Sequence, residues 1–473
     1  MEVDYETVVE EFRDKGFGDE QIKDEIEAWK FGTGSKNIYS LRTHLNKSLK
    51  VKEKKVLLQD EIISSLPPPS LITQYPQNCE LNDDLEKHMN LHIESSSIEN
   101  DYFLEDQAKV EANLLNHLKL VTSNFEDSYS VSLKKIFESE EEEEDFWVVG
   151  RVELNEDDEQ DQYNLVTETE KCPINYLTLP NYTIYPGQII LTQGSLQSMT
   201  FIPKKILIDS FGDLSPESEL NKKLKIGLLS GPFTGPDLDF TYFLSVLKVI
   251  ANQVNILILV GPFVDCENEI IKSCNLNIPS LKIRNGSYEM IIHEIFSCLE
   301  SIKNVKIVLV PHEREVVHLY PLPMPELSRS IPNNFICTTS PGFLNIENLI
   351  VHIVPYDILY EMNSVMSIRS NTLANKTQIA LNQLIQQQSY LPLIPNNLPV
   401  EYSNFNHFVF EQIPNILIVN TKLSIQPNAV SGVTCVKMIP FVDGQRIGNY
   451  TIINSGKHNG KLLVNVKNYR ANF

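Results

Sequence analysis

Hydrophobic and polar positions change rhythm along this chain in a way that divides it into four parts. In the first 31 residues, Val8, Val9 and Phe12 share one helical face and Ile22, Ile26 and Trp29 another, which predicts two short amphipathic helices. Two such helices bury too little surface to stand as a core by themselves. From residue 32 to about 125 the periodicity is weak and polar connections such as "SSLPPPS" and "ESSSIEN" interrupt it, so a flexible tether is expected there. Alternation of period two then takes over. Phe146, Val148, Gly150, Val152 and Leu154 lie on one side of "FWVVGRVEL", and further alternating runs follow in "YNLVTETE", "INYLTLPNYTIYPGQIILTQG" and "MTFIPKKILID". Short strands between turns predict a small β-barrel over residues 126–220, with an OB-fold as the size match.

Near Leu224 the texture changes again. "LKIGLLSGPFTG", "NILILVGPFVD" and "VKIVLVPHERE" are nearly continuous apolar runs, separated by the helical patterns "DFTYFLSVLKVIANQ" and "YEMIIHEIFSCLESI". Strands of this kind alternating with helices predict a parallel sheet covered on both faces over residues 221–473. Ligands in such sheets sit beyond the carboxyl ends of the strands.

Composition narrows the classes. The 473 residues are enough for more than one core, and 42% hydrophobic residues with a mean hydropathy of −0.17 describe a globular chain without an apolar run long enough for a membrane helix. The acidic start "MEVDYETVVEEF" offers neither a basic region nor an apolar stretch of signal-peptide type, so an intracellular protein is expected. Seven widely spaced cysteines form no C-x-x-C pair and read as reduced thiols. A formal charge of −22 disfavours phosphate contacts, so direct nucleic-acid binding is expected to be weak or absent. Tyr163, Tyr176, Tyr182 and Tyr185 would be the rings available if the barrel bound a single strand by stacking. "KSLKVKEKK" at Lys47 to Lys55 reads as a solvated helix face or a nuclear import signal, and the acids that begin at Glu138 as a solvated run.

A two-metal phosphoesterase places D-x-H, G-D-x-x-D, G-N-H-D/E and G-H-x-H after successive strands, and one carboxylate bridges the two ions. Here Ser230, Gly231, Pro232 and Phe233 follow the first strand and offer no Asp or His. Gly261 and Asp265 survive after the second, but Pro262 holds the bridging position. "VPHE" leaves His312 and Glu313 with Pro311 in place of asparagine, and Asn420 and Lys422 stand where the late histidines would be. Asp265, His312 and Glu313 are the remaining candidates. Each also has a plain reading: a helix cap for Asp265, and surface or hydrogen-bonding roles for His312 and Glu313. His352, inside "LIVHIVPYD", reads as a hydrogen-bonded core histidine. No G-x-S-x-G, P-loop or dinucleotide-binding signature occurs. No catalytic, metal or cofactor residue is therefore assigned.

"SGPFTGPD", "ILILVGPFVD", "VPHEREVVHLYPLPMPE", "LIQQQSYLPLIP" and "PNILIVNTKL…GVTCVKMIPFVDG", together with "VVGRVELN" and "YPGQIILTQG", form an ordered set from Phe146 onward. The set resembles the B subunits of DNA polymerase alpha–primase, relatives of the small subunits of other replicative polymerases. The resemblance implies an α/β plus β architecture: an OB-fold barrel packed on an inactivated calcineurin-like phosphoesterase domain, with a small helical N-terminal element. It implies a nuclear, non-catalytic regulatory subunit that binds the C-terminal domain of the polymerase alpha catalytic subunit. Through the complex it would work with the primase subunits in RNA–DNA primer synthesis, and through the N-terminal region with other replication factors. The alternatives are an active metallophosphoesterase or exonuclease with a remodelled site around Asp265, His312 and Glu313, and the small subunit of another replicative polymerase.

Overall fold

A computed structural model describes residues 72–74, 91–98, 102–103, 105–138, 144–155, 163–207 and 222–471, the last apart from 275, 303–304, 317, 328–334, 370–374, 411, 426–428, 431, 445 and 459–460. These residues belong to the second of two compact units, Leu71–Phe473. The two helices expected in the first 31 residues and the basic cluster at Lys47 to Lys55 lie outside the described residues.

Part of the stretch read as a tether is built into the folded unit. Strand β1 (Ile72–Gln74) pairs with the final strand, and β2 (Ile93–Ser95) pairs antiparallel with Gly342–Ile346. Helix α1 (Gln107–Tyr129) starts at Asp106, whose carboxylate accepts the Ala108 and Lys109 N–H groups, and stops at Ser130, whose φ of 50° leaves the right-handed region. Leu118, Val121 and Phe125 on one face of α1 pack against Val149, Ile189 and Leu191. Tertiary burial therefore orders a segment whose local pattern is weak.

Strands β3 (Phe146–Leu154), β4 (Tyr163–Val166), β5 (Lys171–Ile174), β7 (Ile189–Gln197) and β8 (Thr200–Leu207) close a barrel in the order β3-β4-β5-β8-β7, and β6 (Tyr182–Ile184) stands apart from it. The alternation along β3 sorts its side chains: Phe146, Val148 and Val152 enter the barrel core, while Trp147 and Val149 face α1.

The larger part is mixed α/β. Chain order runs β9 (Leu224–Ser230), α2 (Thr241–Ile250), β10 (Ile256–Val260), α3 (Glu269–Lys272), α4 (Tyr288–Glu300), β11 (Lys306–Val310), β12 (Phe335–Cys337), β13 (Gly342–Ile346), β14 (Leu349–Val354), α5 (Ile358–Val365), β15 (Ser367–Arg369), α6 (Lys376–Gln386), β16 (Ile416–Val419), β17 (Ala429–Val430), β18 (Val433–Lys437), β19 (Val442–Asp443), β20 (Arg446–Ile447), β21 (Asn449–His458) and β22 (Lys461–Arg470). One sheet has the order β1-β22-β21-β9-β10-β11-β12, with β9 to β12 parallel. The second runs β17-β18-β16-β14-β13-β2.

Two cores explain why β10 is apolar throughout, and a third lies beyond the second sheet. Leu257 and Leu259 pack with Phe243, Leu247, Ile291 and Ile295 of α2 and α4. Ile256, Ile258 and Val260 point the other way, into a core shared with Val351, Ile353, Ile416 and Ile418 of the second sheet. The far face of that sheet carries Leu417 and Val419 against Met362, Leu381 and Leu384 of α5 and α6. The parallel sheet is thus covered by helices on one face and by a second sheet on the other. All five β10 side chains are fully buried, each contributing about 1.5–3 kcal/mol relative to exposure.

Candidate functional site

The carboxyl ends of β9, β10 and β11 are where the parallel sheet would hold a ligand, and there the backbone closes on itself. The Gly231 N–H donates to the Val260 carbonyl at 2.8 Å, and the Gly261 N–H to the Val310 carbonyl at 2.9 Å. Both Gly-Pro bonds that follow, Gly231-Pro232 and Gly261-Pro262, are cis. A Cβ on Gly231 would collide with the Pro262 oxygen, so only glycine fits between the two turns. The next residue in each turn is Phe, and both rings go inward. Phe233 stacks on Phe243 at 4.3 Å between centroids and meets Phe263 at 5.5 Å. The Phe441 N–H, donating to the Ser230 carbonyl at 2.7 Å, binds a further loop across the first strand end.

The surviving polar candidates are engaged with protein groups. Asp265 faces Arg314: Nε donates to Oδ1 at 3.0 Å and Nη2 binds Oδ2, a two-pronged pair. Asp265 Oδ1 also accepts the Glu267 N–H at 3.0 Å, a turn-capping role of the kind expected for it, although helix α3 itself is capped by Asn268. The His312 ring is buried, and its Nδ1 accepts the Arg314 N–H at 3.1 Å. Burial first, then the Arg314 charge, lowers its pKa to about 3, so the ring is neutral. Glu313 is half-buried; burial raises its pKa against the pull of Arg314, and its Oε2 has no hydrogen-bond partner among the described residues. His312 is therefore a buried hydrogen-bonded group rather than a surface one.

Glu315, which lies outside the phosphoesterase motif pattern, is fully buried at the centre of this region. Its carboxyl accepts the Phe263 N–H at 2.5 Å and the Val264 N–H at 2.8 Å. Burial pushes its pKa up to about 8, overcoming those two donors, and nearby Asp265 adds to the rise. The run "HERE" signalled a charged group at this turn, but periodicity could not say which acid points inward. The late positions are also occupied with structural work: Asn420 Nδ2 donates to the Pro355 carbonyl at 2.6 Å, the Lys422 N–H to Asp357 at 2.8 Å, and Lys422 Nζ sits 5.9 Å over the Tyr360 ring. Among the described residues, no three His, Cys, Asp or Glu side chains gather where they could hold a metal ion.

Two further readings change. His352 lies in the core, but neither ring nitrogen has a hydrogen-bond partner among the described residues; Phe343, Tyr390 and Phe410 surround it, and burial lowers its pKa to about 3. Of the barrel tyrosines considered as stacking platforms, Tyr163, Tyr182 and Tyr185 are buried, the last completely. Their rings face cores, which removes them as stacking surfaces for bases.

The most elaborate polar contact is the seam between barrel and sandwich, centred on the "QQQ" of "LIQQQSY". Gln387 pairs with the backbone of Ile189 as a strand would: Ile189 N–H donates to Oε1 at 2.7 Å and Nε2 donates to the Ile189 carbonyl at 2.9 Å. Gln383 Oε1 accepts from Gln188 Nε2 at 2.9 Å. His117 of α1 binds the Gln387 carbonyl at 2.7 Å, and Arg151 of the barrel donates to the Leu114 carbonyl at 2.8 Å. Burial, then the Arg151 charge, lowers the His117 pKa to about 3. Tyr185 inserts into the sandwich core, and β6 pairs antiparallel with β15. Gly187, at φ +90°, lets the intervening turn approach the Pro392 carbonyl, where a Cβ would come within 2.6 Å.

Residues 226–425 match the family of the B subunits of DNA polymerases alpha and epsilon. The DNA polymerase alpha B subunit of Mus musculus is 23% identical over 296 residues, which cover 59% of this chain and 48% of that protein. The Schizosaccharomyces pombe protein of the same name is 25% identical over 298 residues, covering 58% and 51%, and the Drosophila melanogaster one 22% identical over 259 residues, covering 52% and 40%. The chain spans about half the length of the curated relatives it matches. The resemblance read from the motifs and these matches agree on the same family.

Proposed function

We propose that this chain, a relative of the DNA polymerase alpha B subunits, is a non-catalytic scaffold component of DNA polymerase alpha–primase, acting in the nucleus. In this reading the five-stranded barrel, within residues 126–220, is an OB-fold, and residues 221–473 are a calcineurin-like phosphoesterase domain without its metal ligands. The protein binds the C-terminal domain of the catalytic subunit and supports synthesis of the RNA–DNA primer together with the primase subunits. Residues 1–31 would recruit other replication factors.

The observation that carries the reading is the filled strand ends. Gly231 and Pro262 are in direct contact where a bridging carboxylate would stand, and Asp265 is held by Arg314. Among the described residues no set of oxygen and nitrogen ligands for metal ions gathers there to hold a substrate phosphate. What the fold keeps is a large surface on two parts that are locked together, which suits holding a partner.

Co-expression with the C-terminal domain of a DNA polymerase alpha catalytic subunit tests the role: a soluble pair that co-elutes on gel filtration is expected, and separate elution would refute it. The remodelled-phosphoesterase alternative rests on Asp265, His312 and Glu313. Bound Mn, Fe or Zn by elemental analysis, together with phosphodiester hydrolysis lost in Asp265→Asn, would establish it instead.

A further inference from the structure

A few residues past Glu315 in the chain, the described residues present an aromatic and aliphatic patch made by two segments distant in sequence. Phe103 and Leu319 are 68% and 69% exposed, the highest values among the large hydrophobic side chains described. Tyr320 joins them: its ring stacks on Phe103 at 6.1 Å and meets Tyr102 edge-on at 5.0 Å, while the His318 ring lies 4.9 Å from it. The patch is held in place from below. Tyr102 donates its hydroxyl to the Pro323 carbonyl at 2.5 Å, and His318 binds the Pro325 carbonyl at 2.8 Å.

Two observations separate this patch from ordinary surface apolar residues. Phe103 has a φ of 67°, a conformation that a bulky side chain adopts at an energetic penalty, and its N–H is fastened there by Glu401 Oε2 at 3.2 Å. An exposed ring held outward against backbone strain is maintained by the surrounding fold. Among the described residues, the charged groups acting on Tyr102 and Phe103 are carboxylates. Glu401 lies beneath Phe103, Glu326 accepts the Ile98 N–H at 3.4 Å, and both carboxylates, together with burial as the leading cause, hold the Tyr102 hydroxyl proton on well past its usual range. Glu105 stands exposed two residues beyond Phe103.

We infer that the Phe103–Leu319–Tyr320 patch is a docking site for a basic peptide segment of a partner protein, one carrying an aliphatic anchor beside arginine or lysine. The anchor would cover Leu319 and the exposed edge of Phe103. A guanidinium would lie over the Phe103 or Tyr320 ring face, with the carboxylates within reach of its charge. The same carboxylates repel nucleic-acid phosphates and anionic lipid headgroups, and a chain of net charge −22 makes a poor partner for its own copy at an acidic patch. This inference does not depend on the proposed function, because it uses neither the barrel seam nor the strand ends.

The test uses the full chain and fluorescence anisotropy with labelled peptides of equal length: leucine with arginine, glycine with arginine, and leucine with glutamate. The leucine–arginine peptide is expected to bind, the leucine–glutamate peptide not to bind, and the glycine–arginine peptide to bind about tenfold more weakly. The double variant Phe103→Ala, Leu319→Ala should lose about tenfold in affinity for the leucine–arginine peptide while keeping its thermal midpoint. Glu105→Gln with Glu326→Gln should weaken binding and flatten its salt dependence. Equal binding of the glycine–arginine and leucine–arginine peptides, unchanged affinity in the alanine variant, or self-association abolished by that variant would overturn the inference.

Discussion

The strand ends and the barrel–sandwich seam are both buried, yet they rely on main chain and side chain to different degrees. At the strand ends, glycine and proline bring main chain against main chain, phenylalanines fill the gap between turns, and one buried carboxyl, that of Glu315, takes the Phe263 and Val264 N–H groups. At the seam, long amides reach across and replace a strand: Gln387 supplies both an acceptor and a donor to Ile189. This contrast locates the specificity of the fold. Long amides join the two parts that must keep one register, whereas the strand ends are closed by backbone contacts, buried rings and the Glu315 carboxyl.

The largest expected effect breaks the seam. Gln387→Ala leaves the buried N–H and C=O of Ile189 unpaired and should lower stability by roughly 2–5 kcal/mol, read as a fall in the denaturant midpoint. Gln387→Glu should lose a comparable amount, because a carboxylate cannot donate to the Ile189 carbonyl. A midpoint unchanged in both variants would mean the amide is not what holds the barrel.

Next comes the closed end. Gly231→Ala drives a methyl into the Pro262 carbonyl and should cost about 1–3 kcal/mol, with no gain of metal binding in elemental analysis. Tolerance of alanine there would mean that the two turns can part, and that the strand ends are less tightly closed than the seam.

A pH titration of stability compares the two regions directly. His117 at the seam, His312 at the strand ends and His352 in the core each have a native pKa lowered to about 3 from 6.5. Between those values the unfolded chain binds more protons than the native one, so their contribution is complete above pH 6.5 and is lost as pH falls toward 3. Glu315 has the opposite sign: raised from 4.5 to about 8, its contribution is complete below 4.5 and is lost as pH rises through 8. Urea midpoints measured from pH 4 to pH 9 should therefore decline on both sides, and Glu315→Gln should flatten the alkaline side alone.

The smallest effect is at His352. Its ring nitrogens are buried without partners among phenylalanine and tyrosine rings, so His352→Leu should be neutral or stabilising by up to about 1 kcal/mol and should shallow the acid side. A loss of more than that would show that the ring has a partner role.

Much of the barrel and of the parallel sheet was legible because alternation and apolar runs are local signals. Phe146, Val148 and Val152 face inward as their spacing says, and β9, β10 and β11 stand in the three apolar runs. Helix α1 was not legible as part of the fold. Its buried face contains His117 as well as Leu118, Val121 and Phe125, and it became a structural element by finding a barrel wall and the Gln387 carbonyl. That Pro262 and Asn420 stand where a two-metal pattern would place an aspartate and a histidine could be read from the sequence alone. That Arg314 takes up Asp265, and that Glu315 rather than Glu313 is the fully buried acid, could not, because both depend on how the turn after β11 folds back over the turn after β10.

The order of amino acids was enough to mark alternating strands from Phe146 onward, to mark three apolar strands and two helices between Leu224 and Val310, and to say which residue types follow those three strands. These properties follow from side-chain period and residue chemistry within a few positions of one another. Three-dimensional packing was needed to close the strand ends, to bring Gln383 and Gln387 to the barrel seam, and to set Phe103 and Tyr320 on one surface. Each of these joins residues far apart in the chain, and such contacts are set by which faces the packed sheets and helices bring together.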